Sequence, residues 1–301
     1  MTTVHFTHSP ASGIGPEPGI MRRDPSDIIR VGDTYFVWYT KGAQEHGYDA
    51  TIWYARSPDG HCWEELGEAL ERGEAGQWDE QSVFTPSILV ADGAYWLYYT
   101  GVPKPFTNEG NEVTKSAIGV ARAESPHGPW QRSPSNPVLT CSSDPSRFDS
   151  MRVDDACMLY REGRVWLYYK GRQWGKTPAE TRLGVTVSDA PSGPFEKSPA
   201  NPVVNGGHEV IAWPYRRGVV AMINIGPPGI ARTLHYSDDG VAFRKIADLP
   251  GVPGAAGTYR PEAFTDSGIG EMPEWGLCIA KRDGTLPYLE RFECDWGDVR
   301  P

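Results

Sequence analysis

An aromatic, strand-length run recurs four times in this chain, each time eleven residues after a residue that opens a preceding strand. Asp24 precedes Tyr35, Phe84 precedes Tyr95, Asp154 precedes Val165, and His208 precedes Val219 by that interval. The runs are Tyr35-Phe36-Val37-Trp38-Tyr39, Tyr95-Trp96-Leu97-Tyr98-Tyr99, Val165-Trp166-Leu167-Tyr168-Tyr169 and Val219-Val220-Ala221-Met222-Ile223. Each follows a turn signal (Gly32-Asp33, Asp92-Gly93, Glu162-Gly163, Arg217-Gly218), so the pair of strands reads as a β-hairpin. A repeat of fixed period constrains the fold first, because each copy is one supersecondary unit that must stack on its neighbours to bury its faces.

Every copy continues in the same way. A third strand is predicted at Ile52–Arg56, Ile118–Arg122, Leu183–Val187 and Leu234–Ser237, followed by a polar turn and an aromatic residue: Trp63, Trp130, Phe195 and Phe243. The linkers Ser133-Pro134-Ser135-Asn136-Pro137-Val138 and Ser198-Pro199-Ala200-Asn201-Pro202-Val203 nearly match. A weaker fifth copy is expected to open at Tyr259-Arg260-Pro261-Glu262, with residues 265–274 as an inserted loop before Trp275–Ile279. Five four-stranded units predict an all-β, five-bladed β-propeller. The expected single domain spans 1–301, with blades near 21–70, 80–140, 150–204, 205–250 and 258–296. Val4-His5-Phe6 is expected to supply an outer strand to the last blade.

Composition narrows the partners. The formal net charge is −10 and no basic run is present, which argues against nucleic acid or an anionic membrane as a partner. No stretch approaches the length of a membrane helix. The first residues lack a basic and then apolar leader pattern, so a cytoplasmic protein is the expectation. The five cysteines (62, 141, 157, 278, 294) show neither a CxxC motif nor metal-ligand spacing and read as reduced, mostly buried thiols.

In a propeller the start of each inner strand lines a central funnel. The eleven-residue register places Asp24, Phe84, Asp154 and His208 there, with Glu262 in the fifth copy. Their neighbours include Arg23, Arg152, Asp155, Glu209 and Arg260. Clustered carboxylates repel one another and cost desolvation, so they persist where shifted pKa values are used. Plainer readings exist: Asp24 as a turn residue before Pro25, Asp154 as an ion-pair partner of Arg152, His208 as a satisfied half-buried histidine. A carboxylate pair with a proton donor suits glycosidic bond hydrolysis.

The stretches Arg22-Arg23-Asp24-Pro25-Ser26, Val83-Phe84-Thr85-Pro86-Ser87, Arg152-Val153-Asp154-Asp155 and Gly207-His208-Glu209-Val210 resemble glycoside hydrolase family 117, within the family 43-type propeller superfamily. The resemblance spans roughly residues 20–300. It implies an exo-acting, inverting α-1,3-(3,6-anhydro)-L-galactosidase, or neoagarobiose hydrolase, acting on an oligosaccharide. It implies Asp24 as general base, Asp154 as the carboxylate tuning the acid, and His208 as general acid, with Glu209 as the fallback acid. Substrate contacts are expected from Arg23, Phe84, Arg152, Arg260 and Glu262. No cofactor is required; a divalent cation with mostly water ligands is associated with the axis of this fold, and no ligand cluster in the sequence demands one. Family members usually carry an N-terminal helical extension exchanged within a dimer, whereas about twenty Pro- and Gly-studded residues precede Arg22 here, so the oligomeric state is left open. The alternatives are a family 43-like arabinosidase or xylosidase, and a carbohydrate-binding propeller without catalysis.

Overall fold

The structure, a computed structural model, describes residues 4–108, 114–261 and 270–300. These fold into five antiparallel sheets that follow one another around a ring. The N-terminal strand β1 (His5–Pro10) belongs to the last sheet. Blade 1 contains β2 (Met21–Arg23) and β3 (Ile29–Val31), both paired with β4 (Thr34–Gly42), then β5 (Ala50–Ser57) and β6 (Glu64–Leu70). Blade 2 contains β7 (Ser82–Ala91), β8 (Ala94–Val102) and β9 (Ala117–Ala123), with β10 (Gln131–Arg132) and β11 (Leu139–Thr140) both on β9. Blade 3 contains β12 (Arg152–Arg161), β13 (Arg164–Arg172), β14 (Arg182–Ser188) and β15 (Glu196–Lys197). Blade 4 contains β16 (His208–Tyr215), β17 (Gly218–Ile225), β18 (Thr233–Ser237) and β19 (Arg244–Asp248). Blade 5 is β20 (Gly254–Thr258), β21 (Trp275–Ala280), β22 (Tyr288–Asp295) and then β1. The chain is a five-bladed β-propeller, and no helix of the described residues is long and apolar enough to cross a membrane.

The core explains why the second strands read as unbroken apolar runs. Apolar clusters lie between blades: Trp38 with Leu97 between blades 1 and 2, Tyr98 with Val153 between 2 and 3, Trp166 with Val219 between 3 and 4. Trp213 with Phe292 fills the gap between blades 4 and 5, and Tyr39 with Leu277 joins blade 5 back to blade 1. Both faces of each central strand are therefore buried, and the alternation of a one-sided sheet is lost. The matched linkers have a shared task. Asn136 Oδ1 accepts from Val120 N at 2.9 Å and Asn201 Oδ1 from Val185 N at 2.8 Å, and each amide donates back to the same residue's carbonyl, so each asparagine pairs with the outer edge of its blade's third strand.

Blade 1 departs from the others at its inner strand, which is split into β2 and β3. Ser26 Oγ accepts from Trp38 N at 3.1 Å while Ser26 N donates to Trp38 O at 2.8 Å. A side chain here replaces one rung of the ladder and makes room for an extra residue. Asp27 uses that room to accept from Arg260 Nη1 at 2.6 Å and from Thr258 Oγ1 at 3.2 Å. Ile28 N donates to Thr258 O at 2.8 Å. The irregular inner strand thus fastens the first blade to the last.

The fifth blade corrects the sequence reading. It opens at β20 rather than at Tyr259, because the small residues Gly254-Ala255-Ala256-Gly257 form the inner strand without the aromatic signal of the other blades. Glu262 and residues 265–269 lie outside the described residues.

Candidate active site

Every inner strand carries one non-glycine residue in the left-handed region: Asp24 at φ 49°, Thr85 at 47°, Asp155 at 52°, Glu209 at 56° and Ala255 at 39°. Left-handed backbone is uncommon for residues with a β-carbon, and for a β-branched threonine it is an outlier. Such strain concentrates at functional sites, where surrounding structure holds it in place. The ladder shifts register there in three blades, between Phe84 and Ser87, Asp154 and Cys157, and Gly254 and Gly257. All five residues line one narrow axial pocket of about 60 Å³, whose other walls include Ser26, Asp27, Ser87, Cys157 and Ala256.

In blades 2 to 4 this set is offset by one position from the one the repeat predicts. Asp24 stands eleven positions before Tyr35, but Thr85, Asp155 and Glu209 stand ten before Tyr95, Val165 and Val219. The difference is the extra residue in the split inner strand of blade 1. At the axis the equivalents of Asp24 are Thr85, Asp155 and Glu209, not Phe84, Asp154 and His208, and blade 5 contributes Ala255. One signal in the sequence marks the better register: Thr85-Pro86-Ser87 aligns with Asp24-Pro25-Ser26.

The second strand of a blade holds its axial residue. Asp155 Oδ2 is 2.7 Å from Lys170 Nζ, and Glu209 Oε2 accepts from Asn224 Nδ2 at 2.7 Å. Thr85 Oγ1 lies 2.6 Å from Thr100 Oγ1. Lys170, Asn224 and Thr100 occupy the same place in their strands, five residues after Val165, Val219 and Tyr95. Asp24 is held instead by its neighbour, with Arg23 Nε donating to Oδ2 at 2.8 Å while Arg23 Nη1 reaches Glu45 O at 3.2 Å. Sequence reasoning missed Lys170 and Asn224. The sign was present as a lysine and an asparagine where blades 1 and 2 carry Thr40 and Thr100.

These partners give the carboxyl groups different properties. Burial raises the Asp155 carboxyl, but Lys170, His208 and Arg23 together outweigh it and the group lies below the ordinary range. Glu209 is raised, chiefly by burial and further by Asp24 and Asp155, against the opposing Asn224 hydrogen bond. Asp154 sits beside the axis, buried, with Lys170 Nζ 3.5 Å from Oδ1, within reach of charge attraction but beyond a good hydrogen bond. Burial lifts its carboxyl to about 6 despite Lys170. His208 is lowered to about 3, first by Lys170 and then by burial, and its Nδ1 is buried without a hydrogen-bond partner. Lys170, rather than the nearby carboxylates, has the largest influence on this imidazole and opposes the protonated form that an acid role would need.

The expected substrate contacts divide. Arg23 is half-buried against Asp24. Phe84 is buried under Tyr48, ring centroids 5.6 Å apart, and Tyr48 also meets Phe106 at 4.7 Å. Arg152 is buried and spends its donors on the loop after β8, at Thr107 O (3.3 Å), Asn108 Oδ1 (3.0 Å) and Thr114 O. Arg260 is buried against Asp27 and donates to Met158 O at 3.0 Å, so it stabilises the ring instead of facing a ligand. Among the described residues no three His, Cys, Asp or Glu ligand atoms converge at the axis. The axial carboxylates point to separate partners, a poor fit for direct coordination of a divalent cation.

Comparison with known proteins agrees with the fold. A family model for glycosyl hydrolases family 43 matches residues 19–171. A family 117 glycoside hydrolase from the marine bacterium Zobellia galactanivorans superposes with a TM-score of 0.87 at 31% identity, over 100% of this chain and 93% of that one. The chain belongs to glycoside hydrolase family 117, within the family 43-type propeller superfamily. The chain is also similar to a xylan 1,3-β-xylosidase of a Vibrio species, 29% identical over 153 residues, 48% of this chain and 25% of the xylosidase. The match thus spans about a quarter of that relative's length. A fructan 1-exohydrolase from Cichorium intybus shares the fold, with a TM-score of 0.66 at 14% identity over 93% of this chain and 56% of the other.

Proposed function

We propose that this glycoside hydrolase is exo-acting and inverting, and that Asp24, Asp155 and Glu209 carry the reaction. The observation that supports this reading is the convergence of three carboxylates, from three blades, on one axial pocket in three different electrostatic settings. Pairs of acids pushed apart in pKa take different roles. Glu209, raised by burial and its acidic neighbours, holds a proton to give to the leaving oxygen. Asp24, anchored by Arg23, takes a proton from the attacking water. Asp155, tied to Lys170, remains an anion that orients the sugar and opposes loss of the Glu209 proton. Asp154 and His208 then tune the field from beside the axis.

A pocket at a propeller axis suits the end of a chain more than its middle, which supports exo action. Membership of family 117 supports a terminal 3,6-anhydro-L-galactose as the released sugar. Replacing Asp24 with Asn tests the reading, since asparagine tolerates the left-handed backbone. Turnover of neoagaro-oligosaccharides is expected to fall by at least 10²-fold, with the unfolding midpoint unchanged. Near-wild-type turnover would remove Asp24 from the base role. Anomer-resolved NMR of the first product tests inversion.

The family 43 match over the first two blades and the opening hairpin of the third, together with the xylosidase likeness, favours a second reading of the same site as an arabinosidase or xylosidase. Aryl arabinosides and xylosides assayed beside neoagaro-oligosaccharides distinguish the two.

A further inference from the structure

Away from the axis, three potential metal ligands from three adjacent strands of blade 5 meet on one face of the sheet. Cys278 on β21 lies directly across the ladder from Glu290 on β22. Pro10 on β1 is the next partner of Glu290, and His8 stands two residues before it on the same face. His8 Nδ1 is 2.8 Å from Glu290 Oε1 and 3.8 Å from Cys278 Sγ. The three ligand atoms all lie within 4.8 Å of one another.

We propose that His8, Cys278 and Glu290 form a binding site for a zinc-type divalent cation that fastens the N-terminal strand to the last blade. An ion pair between His8 and Glu290 accounts for only part of the arrangement, because the same imidazole nitrogen also faces a buried sulfur. Tetrahedral zinc with bonds of about 2.0–2.3 Å sets its ligand atoms roughly 3.3–3.6 Å apart, and the two observed separations straddle that range. One nitrogen, one sulfur and one carboxylate oxygen suit zinc or another borderline metal, and disfavour magnesium or calcium, which take oxygen ligands. Thiolate and carboxylate together neutralise the cation. Three protein ligands leave a fourth position, which water can fill from the exposed side of His8.

Binding has a defined chemical balance. The Cys278 thiol releases its proton to solvent as the sulfur–metal bond forms. His8 coordinates as the Nε2–H tautomer: the Nδ1 proton facing Glu290 passes to solvent while Nε2 keeps or takes up one, which frees the Nδ1 lone pair, and the Glu290 carboxylate becomes a ligand. The ligands must be deprotonated to bind, so affinity is expected to rise with pH. The place matters for the fold: β1 is the one strand of blade 5 drawn from the N-terminal end of the chain.

The test uses the full chain, stripped with chelator and then given zinc chloride. Its unfolding midpoint is expected to rise by about 3–6 °C at a hundredfold excess over Kd, and magnesium chloride is expected to leave it unchanged. His8→Ala and Cys278→Ser are each expected to lose most of the rise. His8 is exposed, so the first variant keeps the test informative if the buried cysteine change disturbs folding. Cobalt(II) is expected to give a thiolate charge-transfer band in wild type and none in Cys278→Ser. No rise in wild type, or an equal rise in His8→Ala, would overturn the proposal.

Discussion

Lys170 and Asp155 face each other at the axis, Nζ 2.7 Å from Oδ2, and the same ammonium lies 3.5 Å from Asp154 Oδ1. One cation on β13 thus serves two consecutive acids on β12, and it is also the largest influence on His208. Burial works against its charge, but the two aspartates raise its pKa. Replacing Lys170 with Met leaves both acids buried without it. Loss of one partner of a buried ion pair typically costs about 3–5 kcal/mol. Chemical denaturation of Lys170→Met is expected to show a loss of that order, and NMR titration of His208 a pKa above that in wild type.

Glu209 and His208 are separated by their pH behaviour. A proton donor works below its pKa and fails above it, so on the proposed mechanism the raised Glu209 is expected to set the alkaline limb of kcat/KM. Glu209→Gln is expected to lose about 10²–10⁴-fold in kcat and to lose that limb. An aryl glycoside whose leaving group needs no proton should recover much of the rate. His208→Gln is expected to keep the limb. A limb that vanishes in His208→Gln and persists in Glu209→Gln would restore the histidine as acid.

Two histidines, half-buried His208 and buried His235, give the fold an acid-sensitive component. His208 is lowered to about 3, by Lys170 and burial, and His235 to about 4, by burial and Lys245, from an ordinary value of 6.5. The unfolded chain takes up these protons first, so their contribution is present above pH 6.5 and lost as pH falls towards those values. Asp154, raised to about 6 from 3.8, acts in the opposite direction between those two values. His235 lies away from that cluster, hydrogen-bonded to Thr233 Oγ1 at 2.9 Å. Stability of His235→Gln is expected to vary less with pH between 6.5 and 4 than that of wild type, as read from denaturation midpoints.

Gly257 closes the ring. A β-carbon there would sit 1.8 Å from Ser26 O and 2.7 Å from Pro25 O, both backbone atoms of the irregular inner strand of blade 1. Neither can move without disturbing Asp24 next to Pro25. Gly257→Ala is expected to cost about 1–3 kcal/mol or more, with activity falling alongside the unfolding midpoint. A wild-type midpoint would show that blades 1 and 5 are less tightly joined than their contacts indicate.

The sequence by itself determined the blade count and brought the axial acids into view. The aromatic second strands had to be buried on both faces, and four hairpins of equal spacing left few folds besides a ring. Asp24, Asp155 and Glu209 were all in view as acids near inner-strand starts. Tertiary structure decided which of two adjacent residues faces the axis, because one inserted residue around Ser26 shifts the count in blade 1 and a left-handed backbone turns the chosen side chain inward. It also decided the charge state of the neighbours. Lys170 lies in a different strand from the residues it governs, and only the register of β12 on β13 brings it between Asp154 and Asp155. The small inner strand of blade 5 carried no apolar signal, since it packs by close backbone approach at Gly257 rather than by side chains.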